Sequence, residues 1–564
     1  MNPYFWMLLV NLFLLYWLIV ILLDRKGILE RYNISTAGPV LMIRTKRGEH
    51  LLERLSRGTR RERFWRVYAT IGTGLVLIAM IFMFILVIYG AYSTFILQPE
   101  PTTINEPRNW LLIPGLNEFI PMCAWVGFVI ALVVHELSHA VLSTVEKIKV
   151  KSMGLLMLIV PIGAFAEPDS EQLFGESERK ERKKGKVVTE AESESESREP
   201  EKPSKKVASS RERTRILSAG VTSNFCVAVL AFTLFFAILF SIQPVDENVL
   251  YVYQVAKGSP AELAGITPEV FITRVDGTSM TTVEALTEAL STEVEHTVVV
   301  LEKNGEERAF AVPGGTTSST GLFIFDVVAG LPADQAGLTQ SMRITSIDDV
   351  SITGYTDFSV FMNTTVPGQV IEVQTDATTV RVMLAESPSG EETGYMGVIV
   401  AGTTASSPRG MLVFGFPARE YLNGLRGIPA SFLTLSPRQW LASWLWLTIM
   451  PIAPLPTGFG GFTPLLAQLF EPVGTVAVMG GAVFWIADIL FWIGWINFYV
   501  GLFNCLPAIP LDGGYVFREM LYPVVHLGIK EEQRKEKVAR GIAALFALFI
   551  FSAIVIMLAG PYLL

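Results

Sequence analysis

The spacing of apolar and polar positions divides the chain into membrane-length runs separated by water-compatible stretches. Residues 1–23, 71–97, 119–145, 216–242, 479–503 and 541–563 are apolar over lengths that cross a hydrocarbon core, so six transmembrane helices are expected. The first run lacks a basic leader and a small-residue cleavage site, which makes it an anchor rather than a signal peptide. Residues 24–66 carry twelve Lys/Arg against five Asp/Glu, placing that loop in the cytoplasm and the N-terminus outside. The third span then enters from the outer side, after a short Pro-containing loop at 98–117, and ends near the cytoplasmic face.

Three stretches break this alternation. Residues 154–168 are apolar but too short to span, and Pro161, Gly154 and Gly163 interrupt them. Irregular backbone at membrane depth is tolerated only beside protein or a water-filled cavity, which predicts a re-entrant hairpin. Residues 169–214 are dominated by Glu, Lys, Ser and Arg and cannot bury enough apolar surface to offset chain entropy, so a disordered cytoplasmic insert is expected. Residues 401–478 contain apolar pieces broken by Pro and Gly, read as a membrane-associated linker without full spans.

Between the fourth and fifth spans lies an internal repeat. Gly258, Pro260, Ala261, Ala264 and Gly265 recur 72 residues later as Gly330, Pro332, Ala333, Ala336 and Gly337, and Asp276 recurs as Asp348. Each copy continues with an amphipathic helix and alternating strands, an α+β pattern. The copies, 245–316 and 317–400, resemble tandem PDZ domains, which bind extended peptides or chain ends by adding a strand to a sheet edge. Glu269-Val270 and Ser341-Met342 stand where such domains usually carry Gly-Asp. The resulting division is a transmembrane pair (1–97), a third span with hairpin (98–168), the insert (169–214), a fourth span (215–244), the two repeats, the linker, and a C-terminal pair (479–564).

Composition narrows the class. The chain is 51% hydrophobic and 17% charged, fitting a polytopic α-helical membrane protein with two inserted extracytoplasmic domains. Cys123, Cys226 and Cys505 are too scattered for a disulfide framework or a cysteine-based zinc site. No basic, aromatic-interleaved surface suggests nucleic acid as a partner; the lipid bilayer is the expected one.

The chemistry concentrates in the third span. His135 and His139 are four apart, hence one turn above each other on one helix face, and Glu136 stands between them. Two imidazoles so spaced hold one metal ion, with the Glu placed to act on a metal-bound water; two histidines bonded to neighbouring helices is the bland alternative. Ionisable groups inside a bilayer are costly and usually functional, which favours the metal. A catalytic zinc usually takes three protein ligands. Asp512 lies in Pro507-Ala508-Ile509-Pro510-Leu511-Asp512-Gly513-Gly514, where the prolines break the fifth span and the glycines allow close backbone approach. Asp512 is either the third ligand or a turn residue capping the next helix. Asp488, nearer the outer half, is a competing carboxylate, whereas His50, His296 and His526 fall in soluble or loop segments.

His135-Glu136-Leu137-Ser138-His139, Gly163 to Asp169, and Asn504 to Gly513 together resemble the site-2 protease family of intramembrane zinc metalloproteases, in particular archaeal and bacterial members with PDZ inserts. The resemblance implies three core spans holding one catalytic Zn2+, external PDZ domains, and cleavage of transmembrane protein substrates within the membrane of the cell. Ala219-Gly220-Val221-Thr222-Ser223-Asn224 is similar to the family's Gly-Pro-x-x-Asn segment with Val221 in place of Pro, and implies Asn224 as a residue steadying the substrate carbonyl. A non-catalytic membrane scaffold binding peptides through its repeats is the rival reading, and a zinc enzyme acting on lipid is another.

Overall fold

A computed structural model describes residues 3–563 except 45–46, 100, 159–160, 175–205, 256–257, 315–321, 329, 341, 388–392, 401–404, 407, 433–435, 454–457 and 530. The chain forms two compact units, residues 1–235 with 488–564, and residues 236–487.

In the first unit, helix α1 (Pro3–Arg25) leads to a hairpin of β1 (Ile34–Ala37) and β2 (Val40–Arg44), followed by the 39-residue helix α2 (Thr59–Leu97). Helix α3 (Ala124–Val145) carries the histidine pair. The stretch expected as an irregular hairpin is a β-hairpin, β3 (Val150–Met157) and β4 (Pro161–Pro168). It continues β1 and β2 into one antiparallel sheet of order β1-β2-β3-β4, with Leu41 opposite Met157 and Met153 opposite Ala166. The basic loop is therefore more than a topology signal: two of its short segments build half of this sheet. β4 lies at one edge of this sheet and β1 at the other.

The insert is narrower than 169–214. Asp169 is buried, residues 170–174 form a short helix, and α4 (Ser210–Leu239) starts inside the expected disordered range. Its middle, 175–205, lies outside the described residues.

The second unit contains both repeats, but not in tandem. In the first copy, β5 (Asn248–Val255), β6 (Val270–Val275), α5 (Val283–Ala289), β7 (His296–Leu301) and β8 (Glu307–Val312) follow in order. The second copy holds β9 (Leu322–Val327), β10 (Arg343–Ile347), α6 (Tyr355–Met362), β11 (Val370–Thr375), β12 (Thr379–Met383) and β13 (Val398–Val400), in a sheet of order β12-β11-β10-β9-β13. The chain then returns to the first copy. β14 (Ala405–Ser406) and β15 (Met411–Pro417) complete its sheet as β8-β7-β6-β5-β15-β14, with β15 antiparallel to β5 from Met411 opposite Val255 to Pro417 opposite Asn248. This corrects the sequential boundaries 245–316 and 317–400. The second copy is nested in the first, and residues 405–417 belong to the first copy rather than to a linker.

Each copy has its own apolar core, centred on Leu250, Ile272 and Val298 in one and Ile324, Ile344 and Val373 in the other. Arg409, in the return segment, is almost fully buried and donates to the carbonyls of Leu290, Thr292, Val294 and Pro313. The repeat also extends to its turns. Asp276 and Asp348 both adopt positive φ, and their carboxylates accept from the amides of Thr297 (2.8 Å) and Glu372 (2.7 Å). Helices α7 (Ala418–Phe432) and α8 (Pro437–Ile449) follow.

The chain re-enters the first unit through α9 (Ala482–Asn504), then α10 (Asp512–His526) and α11 (Glu532–Leu563). Among the described residues, five helices are long and apolar enough to cross a membrane: α2, α3, α4, α9 and most of α11. The expected span at 1–23 coincides with α1, and none of the five falls in 401–478. The most apolar windows of α3, α4 and α9 are 50%, 50% and 56% buried, against 28% for α2 and 17% for α11. The first three therefore form the centre of the unit. Polar contacts pin them: Ser223 on α4 meets Ser138 on α3 at 2.6 Å and the Tyr68 hydroxyl on α2 at 2.8 Å. At the end of α3, the buried Glu146 carboxylate accepts from Arg215 (2.8 Å) and Arg66 (3.4 Å).

Candidate metal centre

His135 and His139 project from one face of α3, as the four-residue spacing requires. Their Nε2 atoms stand 3.2 Å apart. Asp512 is the first residue of α10, and its Oδ2 lies 2.9 Å from His135 Nε2 and 3.2 Å from His139 Nε2. Leu511, not Asp512, occupies the N-cap position, and its side chain makes no cap hydrogen bond. The carboxylate is committed to the histidines. Its alternative reading as a capping turn is thereby set aside.

The local sequence explains why Asp512 reaches this depth. α9 stops before Pro507 and Pro510, and the loop folds back so that a Cβ on Gly513 would lie 2.4 Å from the Cys505 carbonyl oxygen. A Cβ on Gly514 would lie 2.4 Å from the Ala508 carbonyl carbon. Only glycine permits this crossing, and it swings the start of α10 under α3. Asp488 is absent from the cluster; it sits about 24 Å back along α9 at 1.5 Å per residue.

Three ligand-type atoms that converge so closely test whether a metal fits. Ligands about 2.0–2.1 Å from one ion at tetrahedral angles stand about 3.3 Å apart. The observed 2.9–3.2 Å separations match that spacing with little adjustment. His135 and His139 are 8% and 9% exposed, so they are shielded from bulk water. Two neutral nitrogens and one carboxylate oxygen suit zinc.

The surrounding residues set ring orientation and access. His139 Nδ1–H donates to the Ile216 carbonyl at 2.7 Å, leaving Nε2 to face the cluster. Gly220 is pressed against the pair: a Cβ there would lie 2.6 Å from His139 Nε2 and 2.8 Å from His135 Nδ1. Asn224, fully buried on α4, stands beside His135 Nδ1 at 3.4 Å, on the opposite side of the ring from Nε2. Glu136 is half-buried, and its Oε2 accepts from the Ala166 amide of β4 at 2.9 Å. The acidic side chain next to the ligands thus touches the edge of the sheet.

Residues 123–550, more than half of the chain and including this whole arrangement, match the family "Peptidase family M50". The chain belongs to peptidase family M50. This is the site-2 protease family of metallopeptidases, which the paired His135–His139 and Asp512 motifs indicate. The M50 assignment and the five apolar helices make this a multi-pass membrane protein with additional β-rich domains. An uncharacterized protein of Methanocaldococcus jannaschii is 28% identical over 162 residues, which are 27% of this chain and 40% of that relative. The match thus spans less than half of that relative's length.

What sequence reasoning missed in this M50 protein is the packing against α4. The Ile216 carbonyl carries no side-chain signal, and Gly220 reads as an ordinary helix-packing residue until the histidine rings are seen above it.

Proposed function

We propose that this M50 protein is an intramembrane zinc metalloendopeptidase that hydrolyses peptide bonds within transmembrane segments of other proteins. The observation carrying this reading is the convergence of His135, His139 and Asp512, with Glu136 bonded to a sheet edge that pairs with no further strand among the described residues. His135, His139 and Asp512 would hold a divalent ion, which would supply Lewis-acid activation of the scissile carbonyl and of the attacking water. Glu136 takes the water proton on its carboxylate and passes it to the leaving nitrogen. The half-buried site limits competing water.

A substrate helix hides its amides and must unwind before attack. The outer edge of β4 offers the unwound segment a pairing partner, since the Ala166 amide points away from β3 and toward Glu136. A strand added there would run past the carboxylate. The repeats, similar to PDZ domains, then act outside as a filter reading chain ends or excluding bulky substrate domains, with the metal centre near the cytoplasmic face. A non-catalytic scaffold would leave three converging metal-type ligands without a task.

The test is cleavage of a model transmembrane peptide by the full chain in lipid. Glu136→Gln should abolish turnover while zinc content and folding stay near those of the unaltered protein. Retained turnover would remove Glu136 as the base.

A further inference from the structure

Helix α4 presents three consecutive-turn positions to the histidine pair: Ile216, Gly220 and Asn224, each four residues from the next. The first contributes its carbonyl to His139 Nδ1, and the second contributes the absence of a side chain. The third places its amide against His135 Nδ1. The first and third meet the Nδ1 atoms of the rings, whose Nε2 atoms face Asp512, and Gly220 lies against both rings between them.

A metal-ligating imidazole offers the Nε2 lone pair, so its proton resides on Nδ1, which needs an acceptor. For His139 that acceptor is the Ile216 carbonyl, 2.7 Å away. For His135 the polar group at hand is the Asn224 amide, whose Oδ1 is fully buried with no hydrogen-bond partner among the described residues. Amide oxygen and nitrogen exchange by a half-turn about the last torsion, bringing Oδ1 onto the ring N–H. A buried amide oxygen without a partner is costly, and a bond to the ring that holds a cation is strengthened by that charge.

We infer that Asn224 is a positioning residue for the metal ligand His135: its Oδ1 accepts from Nδ1–H and holds the ring with Nε2 toward Asp512. The inference rests on the metallopeptidase reading but departs from a role for Asn224 on the substrate carbonyl. The amide is wholly buried and stands at Nδ1, whereas the Nε2 atoms face Asp512.

The experiment measures zinc affinity by chelator competition on the full-length protein in lipid, alongside turnover of a model transmembrane peptide. Asn224→Ala should weaken zinc binding about 10–100-fold, the usual effect of losing a ligand's outer partner. Its turnover should recover toward that of the unaltered protein at saturating zinc, a rescue that a purely structural defect would not show. Asn224→Asp, which can only accept while ionised, should bind zinc at least as tightly as the unaltered protein. Zinc affinity of Asn224→Ala within about 2-fold of the unaltered protein would overturn the inference. So would an Asn224→Asp variant with normal zinc affinity and a large loss of kcat that added zinc does not restore, which would return Asn224 to the substrate. Should Asn224→Ala not fold, Asn224→Ser, too short to reach the ring, provides the same comparison. Failure of the unaltered protein to bind zinc would overturn the metallopeptidase reading itself, an outcome separable from the others.

Discussion

His139 Nε2 and Asp512 Oδ2 lie 3.2 Å apart although 373 residues separate them in the chain. The contact is made within one unit, because the chain leaves after α4 and returns at α9, with both nested repeats folded as a separate body between. The site is therefore closed by the first unit alone.

The pairing predicts which carboxylate matters. Asp512→Asn should lower bound zinc sharply, by at least the 10–100-fold typical of losing even an outer partner. Asp488→Asn should leave zinc content unchanged. Metal analysis of the two purified variants checks this, and equal losses would break the assignment.

Gly220→Ala sets two effects against each other. Alanine in a helix interior is ordinarily favoured over glycine by about 1 kcal/mol. Here the added methyl would lie 2.6 Å from His139 Nε2, closer than atoms tolerate. The clash should win, pushing the rings apart and lowering zinc affinity at least about 10-fold. A variant with normal affinity and a raised unfolding temperature would show that α4 yields instead.

The charged clasp at the end of α3 bears on stability rather than chemistry. Glu146 is 3% exposed and accepts from both Arg215 and Arg66. Breaking a buried pair by removing one partner typically costs 3–5 kcal/mol. Arg215 itself is 24% exposed and Arg66 can still serve the carboxylate, so Arg215→Ala should cost less, about 2 kcal/mol. Glu146→Ala should cost more, since both arginines lose the carboxylate and Arg66 keeps only the Val145 carbonyl on α3. Denaturation of the two variants in matched micelles gives the comparison, and identical costs would argue against a shared carboxylate.

The second unit carries a pH-dependent element. His296 Nδ1–H donates to Asp276 at 2.6 Å, and the Thr297 amide donates to the same carboxylate. His296 first, and then the amide, hold the Asp276 carboxyl below its ordinary range. A carboxylate with a lowered folded-state pKa stabilises the fold above its unfolded value, about 3.9, and loses that contribution as pH falls through the lower folded value. Unfolding temperature should therefore fall more steeply below about pH 4 in the unaltered protein than in Asp276→Asn. Parallel curves would remove the Asp276–His296 pair as a contributor.

Much of the centre is legible without coordinates because its ligands obey local rules. The spacing of His135 and His139 places both on one helical face, and the prolines and glycines around Asp512 announce a broken span. Five of the six expected spans and the hairpin at 154–168 follow from apolar length and helix breakers, although the β character of that hairpin comes from pairing. Strand partners such as Leu41 and Met157 are far apart in sequence, and nothing in the basic loop around residues 34–44 marks it as half of a sheet.

The sequence by itself determined which metal-type side chains share the α3 face, and that two α+β segments of similar pattern interrupt the membrane helices. Local periodicity and repeat spacing are properties of the chain alone, so they survive without knowledge of packing. Only the tertiary structure decided that the modules are nested, because strand pairing between Met411 and Val255 is a choice among sheet edges that no single segment encodes. It alone decided the setting of Arg409, whose burial depends on four carbonyls from another part of the first copy. It also placed α4 against the histidines, where a backbone carbonyl, a missing Cβ and a buried amide act through distance rather than through any pattern of side chains.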